Sequence, residues 1–280
     1  MIKIIDPGLY SSIQDNGRLN YQKYGVPISG CMDLKASFFA NALINNSKNA
    51  ALIEATQLGP KILFKASTYI SITGANMNPF INNKEVSMNK AININNGDIL
   101  SLKNSNNGLR SYIAIKDGIK SNLILGSRSY FKGISSKFKL EKGDVFKINL
   151  IKKKLNLSSK INFKYNYDND KTILVFRGPE FKYLSQKQKA FLCNKDFTIS
   201  NENNRMAYKL KEKFKNQLKS IITSPVLPGT IQLTPGGEII ILMKDCQVTG
   251  GYPRIFQLNE MSFDLIAQKK TNDKIKFKIV

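Results

Sequence analysis

The feature that most constrains the fold of this chain is a succession of short β-type runs that turn residues separate. Between Ala51 and Ile115 such runs follow one another at close and fairly regular spacing. A single helical stripe precedes them, and Asp33 is well placed to cap its first turn. Many short strands with few helices are typical of a β-barrel or a β-sandwich, so we predict a mainly β fold with short helices.

A second series of β-type runs begins at Thr172 and includes the uninterrupted apolar run Ile239–Met243. Pairs of glycine flank this run, at Gly236–Gly237 and Gly250–Gly251. The run predicts a buried strand. Its glycine-rich flanks are compatible with a loop that holds a ligand and equally with an ordinary hairpin turn.

A polar segment with weak periodicity separates the two series and marks the best domain boundary. At 280 residues the chain is long enough for two cores of ordinary size. We therefore predict a first domain over residues 1–155, a linker over 156–169 and a second domain over 170–280, each domain a β-barrel of related design.

Net charge and hydropathy bear on the partners of the protein. The chain has 43 basic and 20 acidic residues, a formal charge of +23 at pH 7, which raises nucleic acid or an anionic surface as a partner. The basic residues are mostly lysines spread along almost every segment, without the clustered arginines and interleaved aromatic residues of a nucleic-acid interface. No apolar run is long enough to span a bilayer, and the N-terminus lacks a secretory leader. We therefore predict a cytoplasmic protein with no nucleic-acid and no membrane partner.

The residue types present limit the chemistry. Histidine is absent, which excludes Ser-His-Asp and Cys-His nucleophile pairs, the His-Glu-x-x-His zinc site and histidine general bases. The three cysteines have neither a metal-ligand nor a paired-disulfide spacing, so we predict no metal site and a reducing compartment. Only six residues are arginine, and five of them lie beside glycine or in Gly/Pro turns. In a chain that uses lysine by default, arginine marks positions that need a planar bidentate donor, for a ligand or for a structural carboxylate.

Several short motifs together resemble one protein family. They are Ile13-Gln14-Asp15-x-Gly17-Arg18, Tyr24-Gly25-Val26-Pro27-x-Ser29-Gly30-x-Met32-Asp33, Leu125-Gly126-Ser127-Arg128-Ser129, Asn204-Arg205-Met206, Pro228-Gly229-Thr230-Ile231-Gln232 and Thr249-Gly250-Gly251-Tyr252-Pro253. Each motif alone is weak. Their order and spacing over essentially the whole chain resemble the biotin-dependent carboxyltransferase family, also called the allophanate hydrolase subunit 2 family.

The resemblance implies two cyclophilin-like β-barrel domains, in agreement with the strand pattern. It also implies a subunit of a 5-oxoprolinase complex, which cleaves 5-oxo-L-proline to L-glutamate with ATP hydrolysis. The implied partners are a sister subunit of the allophanate hydrolase subunit 1 type and a third subunit, and the chain would be active only with them. ATP is the implied cofactor of the complex, although this chain has no Gly-x-x-x-x-Gly-Lys-Ser/Thr loop of its own.

Biotin and two alternative functions follow from the same resemblance. Met243-Lys244 is the only Met-Lys dipeptide, but Asp245 follows it and the lysine abuts an apolar run, so we predict no covalent biotin on this chain. Relatives fused to urea carboxylase use a biotin carrier, which makes carboxyl transfer to a urea or amide nitrogen the alternative function. A non-catalytic antagonist of a kinase-inhibitor-like partner is a further alternative.

Twelve polar residues in and beside these motifs are the candidate site residues. The catalytic candidates are Asp15, Arg18, Asp245 and Arg254, where an aspartate would orient or deprotonate water and an arginine would bind carboxylate or phosphate oxygens. The substrate-binding candidates are Ser29, Asp33, Arg128, Arg205, Gln232, Gln247, Thr249 and Tyr252. A structural role is equally compatible with each of them, such as a helix cap for Asp33 or an ion pair for Arg205.

Overall fold

The computed structural model describes residues 1–149, 160–161 and 167–280 of the chain. Contacts between residues divide the chain into two compact units. The first comprises Met1–Arg18 and the described part of Ser29–Asn166, and the second comprises Leu19–Ile28 and Tyr167–Val280. Most of the predicted linker, residues 156–169, lies outside the described residues.

The described part of the first unit is built from short strands and one α-helix. In chain order these are β1 (Ile2–Asp6), β2 (Tyr10–Gln14), α1 (Leu34–Leu43), β3 (Leu52–Thr56), β4 (Lys61–Phe64), β5 (Thr68–Asn76), β6 (Phe80–Ile81), β7 (Lys84–Glu85), β8 (Ala91–Ile94), β9 (Ile99–Ser101), β10 (Asn107–Ile115) and β11 (Val145–Phe146).

The strands of the first unit form two sheets. A six-stranded sheet has the order β11-β1-β4-β9-β6-β7, and a five-stranded sheet has the order β2-β3-β10-β5-β8. In β1, Ile2 and Ile4 are buried whereas Lys3 is exposed, the period-two pattern of a strand with one face on the core. Ile62 and Ile72, one from each sheet, belong to the same buried apolar cluster as Ile2 and Ile4. The two sheets therefore share one hydrophobic core.

Helix α1 packs on β5 and β10. The Asp33 carboxylate accepts a hydrogen bond from Ala36 N at 2.8 Å, so the predicted N-cap is confirmed. On β5, Thr73 Oγ1 donates to Ala36 O at 2.7 Å and Ser71 Oγ donates to Ala40 O. Hydroxyl groups of a buried strand thus hold the helix in place.

The second unit contains the remaining described strands and two α-helices. They are β12 (Thr172–Arg177), α2 (Gln186–Asn194), β13 (Phe197–Asn203), β14 (Ala207–Leu210), β15 (Ser224–Pro225), β16 (Thr230–Leu233), β17 (Ile239–Leu242), β18 (Thr249–Gly250), β19 (Arg254–Leu258), α3 (Glu260–Ala267) and β20 (Lys274–Ile279).

Seven of these strands close into a barrel with the order β12-β19-β16-β17-β14-β13-β20. The barrel closes where β12 and β20 pair in parallel, with Ile173 opposite Phe277. The ring of Phe277 lies 5.3 Å from that of Phe197 and 5.5 Å from that of Phe256, so aromatic side chains from three strands fill the interior.

The prediction of a mainly β fold with short helices is confirmed. The apolar run after Gly236–Gly237 forms β17, although the strand ends at Leu242 and Met243 lies beyond it. The α-helices of the described chain are 8 to 10 residues long, and none of them is long enough to cross a membrane.

Candidate functional site

A tight turn leads into the Ser127-Arg128-Ser129 segment of the first unit, which contains the candidate Arg128. Ile124 N donates to Ser127 O at 2.8 Å, and Ser127 N donates to Ile124 O at 3.1 Å. The two central residues, Leu125 and Gly126, have φ angles of 52° and 74°, as a type I′ turn requires. Leucine rarely adopts a positive φ, so this turn needs support from its surroundings.

Asp15 supplies that support. Its carboxylate is buried and accepts four hydrogen bonds. Oδ1 accepts from Ser127 Oγ at 2.6 Å, Ser129 Oγ at 2.7 Å and Gly17 N at 2.8 Å. Oδ2 accepts from Arg128 N at 2.6 Å. Three of these donors bind Oδ1 and one binds Oδ2, and together they fix the 127–129 segment against the first loop.

Two arginine candidates bind backbone carbonyl groups in the first unit. Arg18 is buried, and its Nη2 donates to Ser129 O. Arg128 is half-buried, and its Nη1 donates to Ser121 O. Arg18 and Asp15 thus both hold the 127–129 segment in place. Arg128 extends away from the Asp15 carboxylate to a neighbouring loop.

Ser29 and Gly30 bring a second segment against the same loop. Gly30 has a φ of 88°, and a Cβ at this position would lie 2.9 Å from Asn16 C and 3.0 Å from Asp15 O. Only glycine allows this close approach. In the same contact Cys31 N donates a hydrogen bond to Asp15 O at 2.9 Å. Ser29 has a φ of 56° and is fully buried, and its Oγ has no hydrogen-bond partner in the described chain.

Gln14, like Ser29, has a buried polar atom without a hydrogen-bond partner in the described chain. It was not among the predicted site residues. Its side chain is fully buried on β2, and Nε2 donates to Ser12 Oγ at 2.9 Å and to Tyr130 O at 3.3 Å. Its Oε1 has no partner among the described residues. Buried polar atoms without protein partners mark places where water or a ligand binds. The position of Gln14 beside Asp15 in the Ile13-Gln14-Asp15 motif is the sequence feature that could have drawn attention to it.

Asp33 makes a second hydrogen bond in addition to its capping contact. Its backbone N donates to Tyr112 Oη at 2.7 Å. Burial, followed by the nearby Glu54 and Asp33 carboxylates, raises the pKa of Tyr112 well above its ordinary value. Glu54 in turn accepts from Met32 N at 2.7 Å and lies 3.8 Å from the Arg110 guanidinium. Asp33 therefore ties the start of α1 to a buried polar network.

In the second unit, two of the predicted residues bind each other. Arg205 Nε lies 2.8 Å from Asp245 Oδ2, and Arg205 Nη2 lies 3.0 Å from Asp245 Oδ1. Asp245 N also donates to Arg205 O at 2.8 Å. The ion pair is largely buried, and it joins the turn before β14 to the turn after β17.

Arg254 forms a second bidentate ion pair, with Glu180. Arg254 Nε and Nη2 each lie 3.0 Å from a Glu180 oxygen, and Arg254 N donates to Glu180 Oε2 at 2.8 Å. The side-chain hydrogen bonds lower the pKa of Glu180 and raise the pKa of Arg254. Glu180 was not predicted, because nothing local in the sequence links it to a residue 74 positions away.

The other candidates of this unit lie around the β18 turn. Gln232 is buried, its Nε2 donates to Tyr252 O at 3.4 Å, and a Cβ on Gly250 would lie 2.7 Å from that nitrogen. Gln247 is half-buried, and its Oε1 has no partner in the part of the chain that the structure describes. Thr249 and Tyr252 are exposed. Thr249 and Tyr252 therefore present polar groups to the surface, whereas Gln247 Oε1 is a buried polar atom.

A cleft of about 1070 Å³ opens beside the Arg254–Glu180 pair. Glu180, Tyr183, Gln188, Pro253 and the segment Lys215–Ile221 are among its lining residues. Within the described chain none of the twelve predicted residues lines this cleft, which approaches them only through Glu180 and Pro253. The structure thus groups the candidates within each unit into clusters that hydrogen bonds and ion pairs hold in place.

The fold and the sequence define the class of protein to which this chain belongs. It is a member of the carboxyltransferase domain family, subdomains A and B, which it matches over residues 24–279. The family resemblance of the motifs is thereby confirmed.

Individual relatives divide between two kinds of protein. A 5-oxoprolinase subunit of Escherichia coli K12 is 28% identical over 284 residues, which cover 99% of this chain and 90% of that protein. The urea amidolyase of Lachancea kluyveri is 42% identical over 130 residues, which cover 46% of this chain and 7% of that protein. The crystal structure of TTHA0988 superposes with a TM-score of 0.88 at 21% identity, covering 99% of this chain and 55% of that chain. This chain therefore spans about half the length of that structural neighbour.

Proposed function

We propose that this chain is a subunit of a 5-oxoprolinase, which cleaves 5-oxo-L-proline to L-glutamate with ATP hydrolysis. The observation that carries this assignment is the match to the Escherichia coli 5-oxoprolinase subunit, which extends over 99% of this chain and 90% of that protein. A match from end to end of both chains supports a shared role more strongly than a match to one part of a larger protein.

The substrate defines what the site must supply. The lactam amide is a poor electrophile, and phosphorylation of its oxygen by ATP converts that oxygen into a leaving group. Water then attacks the ring carbon, and the C–N bond breaks as the nitrogen takes a proton from that water, which leaves an acyl phosphate. A second water hydrolyses the acyl phosphate to L-glutamate and inorganic phosphate, while cations stabilise the negative charge on the phosphorylated oxygen. The site therefore needs partners for the lactam N–H and oxygen and cations for the substrate carboxylate.

In the first unit, Gln14 and Ser29 would bind the lactam group. Gln14 Oε1 would accept from the lactam N–H, and the Ser29 hydroxyl would donate to the lactam oxygen. Both atoms are buried without protein partners in the described chain, which supports a ligand-binding role for them. Arg128 would bind the substrate carboxylate. Asp15 and Arg18 would act as positioning residues, because they hold the loops that carry these groups.

In the second unit, the ion pairs order the surrounding loops. In the first unit, Asp33 would order the start of α1 through its capping hydrogen bond. The Arg205–Asp245 and Arg254–Glu180 pairs would position Gln232, Gln247, Thr249 and Tyr252. Arg254 and Asp245 would then act through the loops that they hold, and Gln247, Thr249 and Tyr252 would be the ligand-binding residues of this unit.

The proposed function requires partners. Because the chain lacks a phosphate-binding loop of the Gly-x-x-x-x-Gly-Lys-Ser/Thr type, ATP would be bound in the assembled complex. The proposed partners are a sister subunit of the allophanate hydrolase subunit 1 type and a third subunit, in the cytoplasm. No biotin would be attached to this chain, and Lys244 Nζ lies 5.1 Å from the centre of the Phe263 ring.

Carboxyl transfer to a urea or amide nitrogen is the second candidate function. The 42% identity to a urea amidolyase over 130 residues favours it, although that segment is 7% of the relative. In this case a separate protein would carry the biotin.

Parallel assays on one reconstituted mixture distinguish the two functions. The first measures glutamate released from 5-oxoproline and ATP by this chain with its two partner subunits. The second measures label from bicarbonate in carboxylated urea, with a biotinylated carrier added. We expect glutamate release alone. Carboxylation without glutamate release would support the second function, and neither activity together with intact partner binding would support a non-catalytic antagonist.

A further inference from the structure

A small pocket of about 360 Å³ lies on the second unit, and none of its lining residues is a candidate site residue. Its lining residues come from the end of β12, the connection that follows and the first turns of α2. They are Arg177, Gly178, Pro179, Phe181, Lys182, Gln186 and Lys189. None of them lines the large cleft. The pocket therefore represents a second place where a ligand could bind.

Three of the lining side chains are cations and none is an acid. Arg177 lies 5.8 Å and Lys189 lies 5.5 Å from the centre of the Phe181 ring, which is buried. Both cations therefore lie within cation–π distance of one buried ring. Lys182, on the 3₁₀ turn between them in sequence, is the third cation.

The positive charges have no counter-ion in the part of the chain that the structure describes. There, no ion pair joins Arg177, Lys182 or Lys189 to a carboxylate. Glu180 is close in sequence, but both of its oxygens are bound to Arg254. Three like charges around one pocket repel one another, and a bound anion would relieve that repulsion.

We propose that this pocket binds a di- or triphosphate group. Three cations match the charge of such a group better than that of a single carboxylate, and the planar guanidinium of Arg177 suits two phosphate oxygens. The volume is at the lower end of the range for ligand pockets, which suits a phosphate chain rather than a whole nucleotide. The group would come from a nucleotide or from free pyrophosphate. This binding is a property of the chain by itself and does not depend on 5-oxoprolinase activity.

Isothermal titration of the full chain at low salt tests the assignment, with pyrophosphate, ADP, adenosine and L-glutamate as probes. Pyrophosphate and ADP are expected to bind with a Kd below about 1 mM, whereas adenosine and L-glutamate should not bind. Tighter binding of ADP than of pyrophosphate identifies a nucleotide as the source, and equal binding identifies free diphosphate.

Variants separate a built site from the overall positive charge. Arg177→Gln and Lys189→Gln should each weaken binding about tenfold, and Arg177→Lys should weaken it less. Lys187→Gln removes the same charge from the same end of α2 at a residue outside the pocket, so its Kd should stay within about twofold. Thermal unfolding of all four variants checks that each is folded. An equal loss in Lys187→Gln, equally tight binding of L-glutamate, or no binding of pyrophosphate would overturn the assignment.

Discussion

Arg254 and Glu180 form a bidentate ion pair although 74 residues separate them in the chain, with both donor–acceptor distances at 3.0 Å. The backbone N–H of Arg254 binds the same carboxylate. Together these contacts fix the start of β19 against the connection after β12, at the edge of the large cleft. Glu180 is therefore a residue whose importance only the structure reveals.

Replacing Glu180 by glutamine should lower the free energy of unfolding by about 1–2 kcal/mol at neutral pH, because charge-assisted hydrogen bonds are lost at a partly buried site. The pKa of Glu180 is lowered in the folded protein. The stabilisation is therefore present above the carboxyl pKa of the unfolded chain and is lost as pH falls through the folded pKa. Urea unfolding of both proteins from acidic to neutral pH measures the difference. Glu202→Gln, at an exposed pair with Lys209, should change stability by less than about 0.5 kcal/mol.

Asp15→Asn tests the convergence of four donors on one carboxylate. An amide places an N–H group where at least one donor already points, so we expect a loss of about 2–4 kcal/mol in the free energy of unfolding. Ser127→Ala removes one of these donors and the acceptor of Ser129 N, and should cost about 1–2 kcal/mol, less than Asp15→Asn. Equal effects of the two substitutions in urea unfolding would contradict the role of Asp15 as the common acceptor.

Two glycines with nearly the same φ angle allow a matched comparison. Gly30 and Gly133 have φ angles of 88° and 89°, but a Cβ would meet Asn16 C at 2.9 Å only at Gly30 and would meet nothing within 4 Å at Gly133. Gly133→Ala should cost about 1 kcal/mol from the positive φ alone. Gly30→Ala should cost about 1–3 kcal/mol more, because the segments must separate. Chemical unfolding of both variants gives the difference, and equal costs would contradict the close approach.

Ser29→Ala should affect substrate binding without affecting stability. The Ser29 hydroxyl has no protein partner in the described chain, so its removal breaks no internal hydrogen bond. We expect a free energy of unfolding within about 0.5 kcal/mol of the parent and a KM for 5-oxoproline about tenfold higher in the reconstituted complex. Ser37→Ala removes a buried hydroxyl on α1 that donates to Leu34 O, and its KM should not change. A KM that is unchanged in Ser29→Ala would argue against contact with the lactam.

The features that could be predicted from the sequence are those that neighbouring residues encode. Asp33 caps α1 because an aspartate precedes a helical stripe, and β17 forms because an apolar run lies between glycine turns. Pairing across long separations has no local signal. The parallel pair of β12 and β20 closes the barrel, and the Arg205–Asp245 pair joins residues 40 positions apart. Among the arginines at Gly/Pro turns, Arg254 makes the expected bidentate contact with a carboxylate, whereas Arg18 and Arg128 donate to backbone carbonyls. Which acceptor an arginine finds depends on tertiary structure.

The most direct measurement of the central claim is the rate of ATP- and 5-oxoproline-dependent glutamate release by the three-subunit mixture, with this chain present and with it omitted. We predict that omission reduces the rate by at least about 100-fold, because the lactam-binding groups are lost with the chain. An equal rate in the two mixtures would contradict the assignment.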